Sequence, residues 1–303
     1  MATSTATRTG LLAGVAAYTI WGLFPAFLKL LPATAAEIVA HRILWSIPVG
    51  ALILTFARQW REAVDAIRNF RVARMLALSA LLISFNWLLY VWAVVNHRVI
   101  EASLGYYINP LMLIGFGVFF LRETLSRLQI VAVALAALGV ASLVLGAGVF
   151  PWVSLLLAAS FGSYGFVRKT APVGAMPGLF IETALLAPIA AIFILMLVRS
   201  GESHFGAGDV HGDVLLALAG PATVAPLVLF ALAARRLPLS IMGFLQYIGP
   251  TLQLLLGLYY GETFTHAHAV AFGLIWAALA LVSVDAVMRA RGASQRASAI
   301  PNS

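Results

Sequence analysis

Tyr107-Ile108-Asn109-Pro110 returns 140 positions later as Tyr247-Ile248-Gly249-Pro250, and both copies sit inside long apolar runs. The same offset carries Trp21-Gly22 onto Phe161-Gly162, Lys29 onto Lys169, and Leu89-Tyr90-Val91-Trp92-Ala93 onto Leu229-Phe230-Ala231-Leu232-Ala233. One offset serving several separated regions implies a duplicated unit. Each unit reads as five membrane crossings. Five is odd, so the second copy must thread the bilayer in the opposite sense from the first. Inverted repeats of that kind hold a transport site between them near the midplane.

Composition agrees. Of 303 residues 62% are hydrophobic and 10% charged, with a mean hydropathy of +0.98, far outside the range of water-soluble domains. The apolar runs are about 20 residues long and lack strict alternation, which specifies α-helices rather than a barrel. The reading is an all-α integral membrane protein of ten transmembrane helices in two inverted five-helix repeats. The spans are placed at 10–31, 35–57, 75–96, 99–121, 127–146, 151–167, 177–198, 213–234, 239–260 and 266–288. The repeats cover 8–146 and 151–288, and 289–303 is a basic cytoplasmic tail. The first segment is too long for a cleaved signal and runs into a second span after Pro32.

Ten spans put Arg8, the arginines of 58–74, Arg122, Arg127, Arg168, Lys169, Arg235, Arg236, Arg289, Arg291 and Arg296 on one side, against Lys29, Arg98 and Arg199 on the other, with Arg42 inside a span. The positive-inside bias then makes both termini cytoplasmic. It also explains the net charge of +8 without nucleic acid as a partner. Trp60, Val64 and Ile67 recur at helical spacing in 58–74, as suits a short helix lying in the headgroup layer.

Absent motifs narrow the function. The chain has no cysteine, so it has no disulfide, thiol nucleophile or thiolate metal site. Lys29 and Lys169 follow Leu28 and Arg168, so there is no phosphate-binding Gly-Lys loop, and no histidine precedes a glutamate. Gly162-Ser163-Tyr164-Gly165 faintly resembles an intramembrane serine-protease turn but lacks a histidine base at matching depth. No enzyme activity, cofactor or metal is expected.

Four ordered segments carry a family resemblance: Glu37-Ile38-Val39-Ala40-His41-Arg42-Ile43-Leu44-Trp45-Ser46, Asn86 to Val94, Glu101 to Pro110, and Gly243 to Thr251. From about residue 8 to 288 the chain resembles the RarD group of the EamA-type permeases in the drug/metabolite transporter superfamily. That resemblance implies ten helices in two inverted halves, and export of small metabolites or drugs across the bacterial inner membrane.

The residues point to a site of their own. Ionisable groups inside a span cost about 2.5–3.5 kcal/mol on insertion scales and need a partner or a watery cavity. Glu37 and His41 share a helix face with Arg42 turned aside, and Glu182 lies near the opposite end of span 7. These four are read either as gating or proton-coupling groups or, with Glu37, His41 and Arg42 together, as a fixed polar lock. Ser79, Ile83, Asn86 and Tyr90 form one stripe on span 3; Gly243, Gln246, Pro250, Gln253 and Gly257 form another on span 9. Both should face inward. Pro110 and Pro250 are expected to break their helices at matched positions. The expected substrate-binding set is Tyr18, Trp21, Asn86, Trp87, Tyr90, Tyr107, Asn109, Tyr164, Gln246, Tyr247 and Gln253. Trp45, Trp60 and Trp152 are assigned to the membrane interface. Gly10, Gly14, Gly115 and Gly117 read as points of close helix approach, and the Ala-rich spans 5 and 10 as a scaffold or dimer contact. The expected passenger is a small, partly apolar, neutral or zwitterionic molecule, moved by alternating access of a monomer or homodimer held in membrane lipid. A passive channel is the alternative.

Overall fold

Where the sequence alternates short polar breaks with long apolar runs, the chain builds helices and little else. The computed structural model describes residues 2–298 apart from 123, 148–149, 235, 238–240 and 243–244. Its helices are α1 (Ala2–Leu28), α2 (Ala35–Ala57), α3 (Trp60–Arg68), α4 (Phe70–Val95), α5 (Val99–Leu121), α6 (Arg127–Ala147), α7 (Trp152–Thr170), α8 (Ala175–Ser200), α9 (Val210–Ala234), α10 (Ile248–Tyr259) and α11 (His266–Ser298). Local chemistry sets their ends. Thr34 accepts the Glu37 amide to open α2, Asn69 accepts the Arg71 and Val72 amides to open α4, and Gly201, at φ 73°, closes α8 in the left-handed conformation.

Eight of these helices are long and apolar enough to cross a bilayer: α1, α2, α4, α5, α6, α8, α9 and α11. The expected count of ten meets two exceptions. Helix α7 has 19 residues but ends in Arg168 and Lys169, which lowers its hydropathy. Helix α10 has 12 residues, about 18 Å, because the chain turns at Gln246 and Tyr247 before it starts. Much of the first part of span 9, including Gly243, lies outside the described residues. The expected tail continues α11 as helix through Ser298, and 299–303 lie outside the described residues.

Of the two expected proline breaks one is found: span 9 is interrupted at Gln246 and Tyr247, and Gln246 is the residue whose carbonyl Pro250 leaves without a helical donor. Helix α5 runs unbroken through Pro110. Pro250 is the third residue of α10, where the first-turn amides have no intrahelical partner to lose. Gly162 to Gly165 is plain α-helix within α7, not a strained turn.

Two large apolar cores, with two smaller clusters beside them, hold the bundle. Leu28, Ile38, Val91, Leu157 and Leu216 belong to one, drawn from α1, α2, α4, α7, α8 and α9 with Val99 and Ala102 at the start of α5. Leu104, Ala136, Leu254, Phe272 and Ile275 belong to the other, drawn from α5, α6, α10 and α11, together with residues of α7. Phe56 and Leu145 remain 80% and 85% exposed on the flanks, apolar surface that suits lipid. Between the two halves of the chain, α1 packs on α9 and α10, α2 on α8 and α9, α4 on α7 and α8, α5 on α7 and α10, and α6 on α11. Exchanging α1, α2, α4, α5 and α6 in order for α7 to α11 maps these pairings onto themselves; the packing of α5 on α11 has no comparable mate between α6 and α10, and that of α3 on α8 stands outside the repeat.

Individual atoms repeat the pattern. A Cβ on Gly22 would meet Leu252 Cβ at 2.7 Å and the Gly249 carbonyl at 3.1 Å, while one on Gly162 would meet Met112 Cβ and Asn109 Oδ1, both at 3.3 Å. Gly162, Met112 and Asn109 are the 140-offset mates of Gly22, Leu252 and Gly249, while Phe116, 3.1 Å from the same added Cβ, has no counterpart among the atoms closest to Gly22. Tyr107 and Tyr247, mates of each other, stack with ring centroids 6.3 Å apart. Gly10 and Gly14 do sit at close approaches, to Arg236 Cβ and Leu245 Cδ1, each 2.7 Å from a built Cβ, but Gly115 has open space around it.

Helix α3 seats Ala63 and Ala66 beside Leu54, Leu76 and Ile181, and leaves Trp60, Val64 and Ile67 on its exposed side. Glu62 accepts the Gly174 amide at 2.6 Å and so ties α3 to the loop before α8.

Candidate functional site

The first core contains three buried polar layers. At the end formed by loop 201–209, Glu37 is 1% exposed and accepts from the His204 amide (2.8 Å) and Ser203 Oγ (3.3 Å), and its Oε2 lies 2.7 Å from His204 Nδ1. Loop residue Phe205 then covers His41, ring centroid to ring centroid 4.9 Å. The expected lock among Glu37, His41 and Arg42 is not the one formed. His41 has neither ring nitrogen bonded, and Arg42 turns to α9. The physical reason is the helix itself. Glu37 is in the first turn of α2, within reach of the loop, while Arg42 is carried a turn and a half deeper.

In the middle layer, Arg42 Nε donates to Thr223 Oγ1 at 3.0 Å. Its guanidinium lies over the Phe24 and Trp87 rings, 4.9 and 4.8 Å from their centroids. Asn86 Nδ2 donates to Ser160 Oγ (2.9 Å) and the Leu157 carbonyl (3.2 Å), and Tyr106 reaches Asn86 Oδ1 at 3.4 Å. Tyr90 packs edge-on against Tyr106.

At the α3 end, Glu182 is fully buried and accepts from Ser79 Oγ (2.5 Å) and Tyr164 (3.3 Å), with Arg168 Nε at 3.4 Å. Arg168 also donates to the Gly174 carbonyl. A cavity of about 10 Å³, room for about one water, lies between the middle layer and this one, lined by Ser46, Gly50, Met176, Leu179, Phe180, Thr183 and Val224. The bundle is therefore closed at both ends around its polar middle.

Of the residues expected from sequence, Asn86, Trp87 and Tyr90 meet in the middle layer with Arg42, and Tyr164 joins Glu182. The others lie elsewhere. Tyr107 and Tyr247 belong to the second core, Tyr107 against Phe272 and Trp276, and Tyr107 also bonds Thr251. Tyr18 and Trp21 pack with Phe230, and Gln253 donates to the Trp21 carbonyl. Asn109 lies against the Gly162 position, and Gln246 is half-buried in the turn before α10. Sequence reasoning missed Phe24, Tyr106, Ser160, Arg168, His204 and Thr223. A signal existed for part of this, because the 140 offset also pairs Arg42 with Glu182 and Phe24 with Tyr164.

The Glu37 contacts set an expectation. Charge-assisted hydrogen bonds are worth about 1.5–3 kcal/mol, so Glu37→Ala should speed amide exchange in 201–209 by roughly ten- to hundredfold and leave the centre of α8 unchanged. Exchange mass spectrometry reads both segments at once. Unchanged exchange at the loop would mean that the carboxylate does not hold it.

Comparison with known proteins gives a consistent picture. Residues 8–145 match the EamA-like transporter family. An uncharacterized transporter of Pseudomonas aeruginosa is 48% identical over 92% of this chain and 94% of its own length. Protein RarD of Escherichia coli is 45% identical over 95% of this chain and 98% of its own. One crystal structure superposes with a TM-score of 0.58 at 20% identity, covering 91% of this chain and 98% of the other, a likeness of fold alone.

Proposed function

The chain belongs to the EamA-like transporter family, as a multi-pass membrane transporter with close relatives among the RarD proteins, and from that premise we propose an exporter that works by alternating access. Two inverted five-helix repeats, 8–146 and 151–288, rock about the middle polar layer. The Glu37–His204 contacts close the outer side and the Glu182–Arg168 contacts close the cytoplasmic side. The single observation that carries this reading is that buried polar layers close both ends of one core around Arg42, Asn86 and Tyr90. The duplicated contacts of Gly22 and Gly162, and the stacking of Tyr107 on its mate Tyr247, support a two-fold relation between the halves. Rigid repeats of opposite sense are the element that alternating access needs.

Both termini are assigned to the cytoplasm of a bacterial inner membrane from the distribution of arginines. The passenger is a small, partly apolar metabolite, neutral or zwitterionic, and the protein works in lipid as a monomer or homodimer with no nucleic acid.

A metabolite and antibiotic export screen, comparing cells with and without the chain, supplies substrates for proteoliposome flux. Flux that saturates with substrate and slows at least tenfold in Asn86→Leu supports the transporter. Osmotic-shift flux that never saturates indicates a passive channel.

A further inference from the structure

Arg42 differs from the other buried charges. Glu182, its repeat-equivalent, is met by Ser79, Tyr164 and Arg168, and Glu37 by Ser203 and His204. Arg42 is 5% exposed, bonds Thr223 through Nε, and has no carboxylate partner among the described residues; its Nη1 is buried with nothing to donate to. The ionisable groups acting on it are the phenols of Tyr90 and Tyr106, and the Tyr90 hydroxyl is itself buried without a partner. A permanent cation with an open donor, at membrane depth, calls for an anion. A guanidinium offers planar, paired donors that match a carboxylate. One uncompensated positive charge neutralises one negative charge, which suits a monoanionic group rather than a phosphate dianion. The Phe24 and Trp87 rings beside the guanidinium supply apolar surface for the rest of such a molecule.

On the reading that the middle layer is the substrate site, we propose that this site takes a small organic carboxylate, free or as part of a zwitterion, whose carboxylate pairs with Arg42 and accepts from Tyr90 while its apolar part lies against Phe24 and Trp87. This narrows the neutral-or-zwitterionic class to molecules that carry a carboxylate.

The test uses the full chain in detergent micelles and matched probes that differ in charge: benzoate against benzamide, phenylacetate against phenylacetamide, and phenylalanine against phenylalaninamide. At least one carboxylate should raise the melting temperature by several degrees in a saturable way, and its amide should not. Arg42→Gln should abolish the shift, and Arg61→Gln, a change at an exposed arginine of α3, should keep it. If Arg42→Gln does not melt cooperatively, Arg42→Lys serves in its place; it keeps the charge without the fork and should weaken the apparent affinity about tenfold or more. Sodium chloride in place of the carboxylate should give no comparable shift. Equal shifts from acid and amide, an equal shift from chloride, a shift that survives loss of Arg42, or no shift from any probe overturns the carboxylate assignment. The reading beneath it is separated by proteoliposome exchange of a cell metabolite extract. Saturable exchange that Asn86→Leu removes keeps the middle layer as the site even when the carboxylate assignment falls. Saturable exchange indifferent to Asn86→Leu and Arg42→Lys alike removes both.

Discussion

Glu182→Ala is expected to lower the unfolding free energy by about 3–5 kcal/mol, because it strands a cation inside the bundle. The carboxylate is fully buried, and the Arg168 side chain facing it is 13% exposed. Arg168 Nη1 already has no partner, so nothing is at hand to replace Glu182. The hydroxyls of Ser79 and Tyr164 would lose their acceptor as well. A loss of that size is a large fraction of the 5–15 kcal/mol typical of whole proteins. Unfolding by titration with dodecyl sulfate in mixed micelles measures it. The double variant Glu182→Gln with Arg168→Gln should recover most of the loss, since it removes the charge imbalance and keeps the shape. A change below 1 kcal/mol for the single variant would mean that Arg168 turns out to water and that the two groups do not close this end of the core.

Among the described glycines, Gly220→Ala is expected to add the methyl with the worst clash against backbone. A Cβ there would stand 2.3 Å from the Trp45 carbonyl carbon and 2.5 Å from both its Cβ and its oxygen. Two of these are backbone atoms, so no rotamer relieves the clash and α2 must move away from α9. Two effects compete. Replacing glycine in a helix contributes up to about 1 kcal/mol of stability, while overpacking costs about 1–3 kcal/mol or more. The clash wins because the backbone is its target. Thr223 is one turn further along α9, so the Arg42–Thr223 bond should go with it and flux should drop at least tenfold. Gly273→Ala in α11 is the matched comparison. Nothing lies within 4 Å of its added Cβ, and there the helix gain should prevail. Melting temperatures and proteoliposome flux of the two variants, measured side by side, test the contrast.

Most of the fold is written plainly in this sequence, because a bilayer leaves few solutions for an apolar chain. Run length gave the helices, and the offset of 140 pointed to the duplication. The same offset was less informative about the site. It led to Tyr107 and Tyr247, whose rings stack on each other beside the second core, where duplicated residues must meet whatever the function. Repeats are most alike where they touch each other, and least alike where they touch something asymmetric. Arg42 and Glu182 illustrate the second case, with opposite charges at equivalent positions. Arg168 read as a loop charge of the cytoplasmic face, yet its Nε lies 3.4 Å from Glu182, a contact no linear pattern records. His204 was hidden for another reason: a 201–209 loop has no periodicity, so nothing in it announces a contact with α2. Pro110 misled because a proline within an otherwise well-packed helix can forgo one hydrogen bond without ending it.

The direct measurement is the accessibility of Ser46, which is 2% exposed, one turn along α2 from Arg42 and beside the small cavity on the α3 side of the middle layer. The chain has no cysteine, so Ser46→Cys provides a single thiol. A membrane-impermeant thiol reagent is applied to right-side-out cells and to inside-out vesicles in turn. Alternating access predicts slow labelling from each side, slowed further when a transported substrate occupies the site. Labelling confined to one side, or absent from both while flux continues, would contradict it.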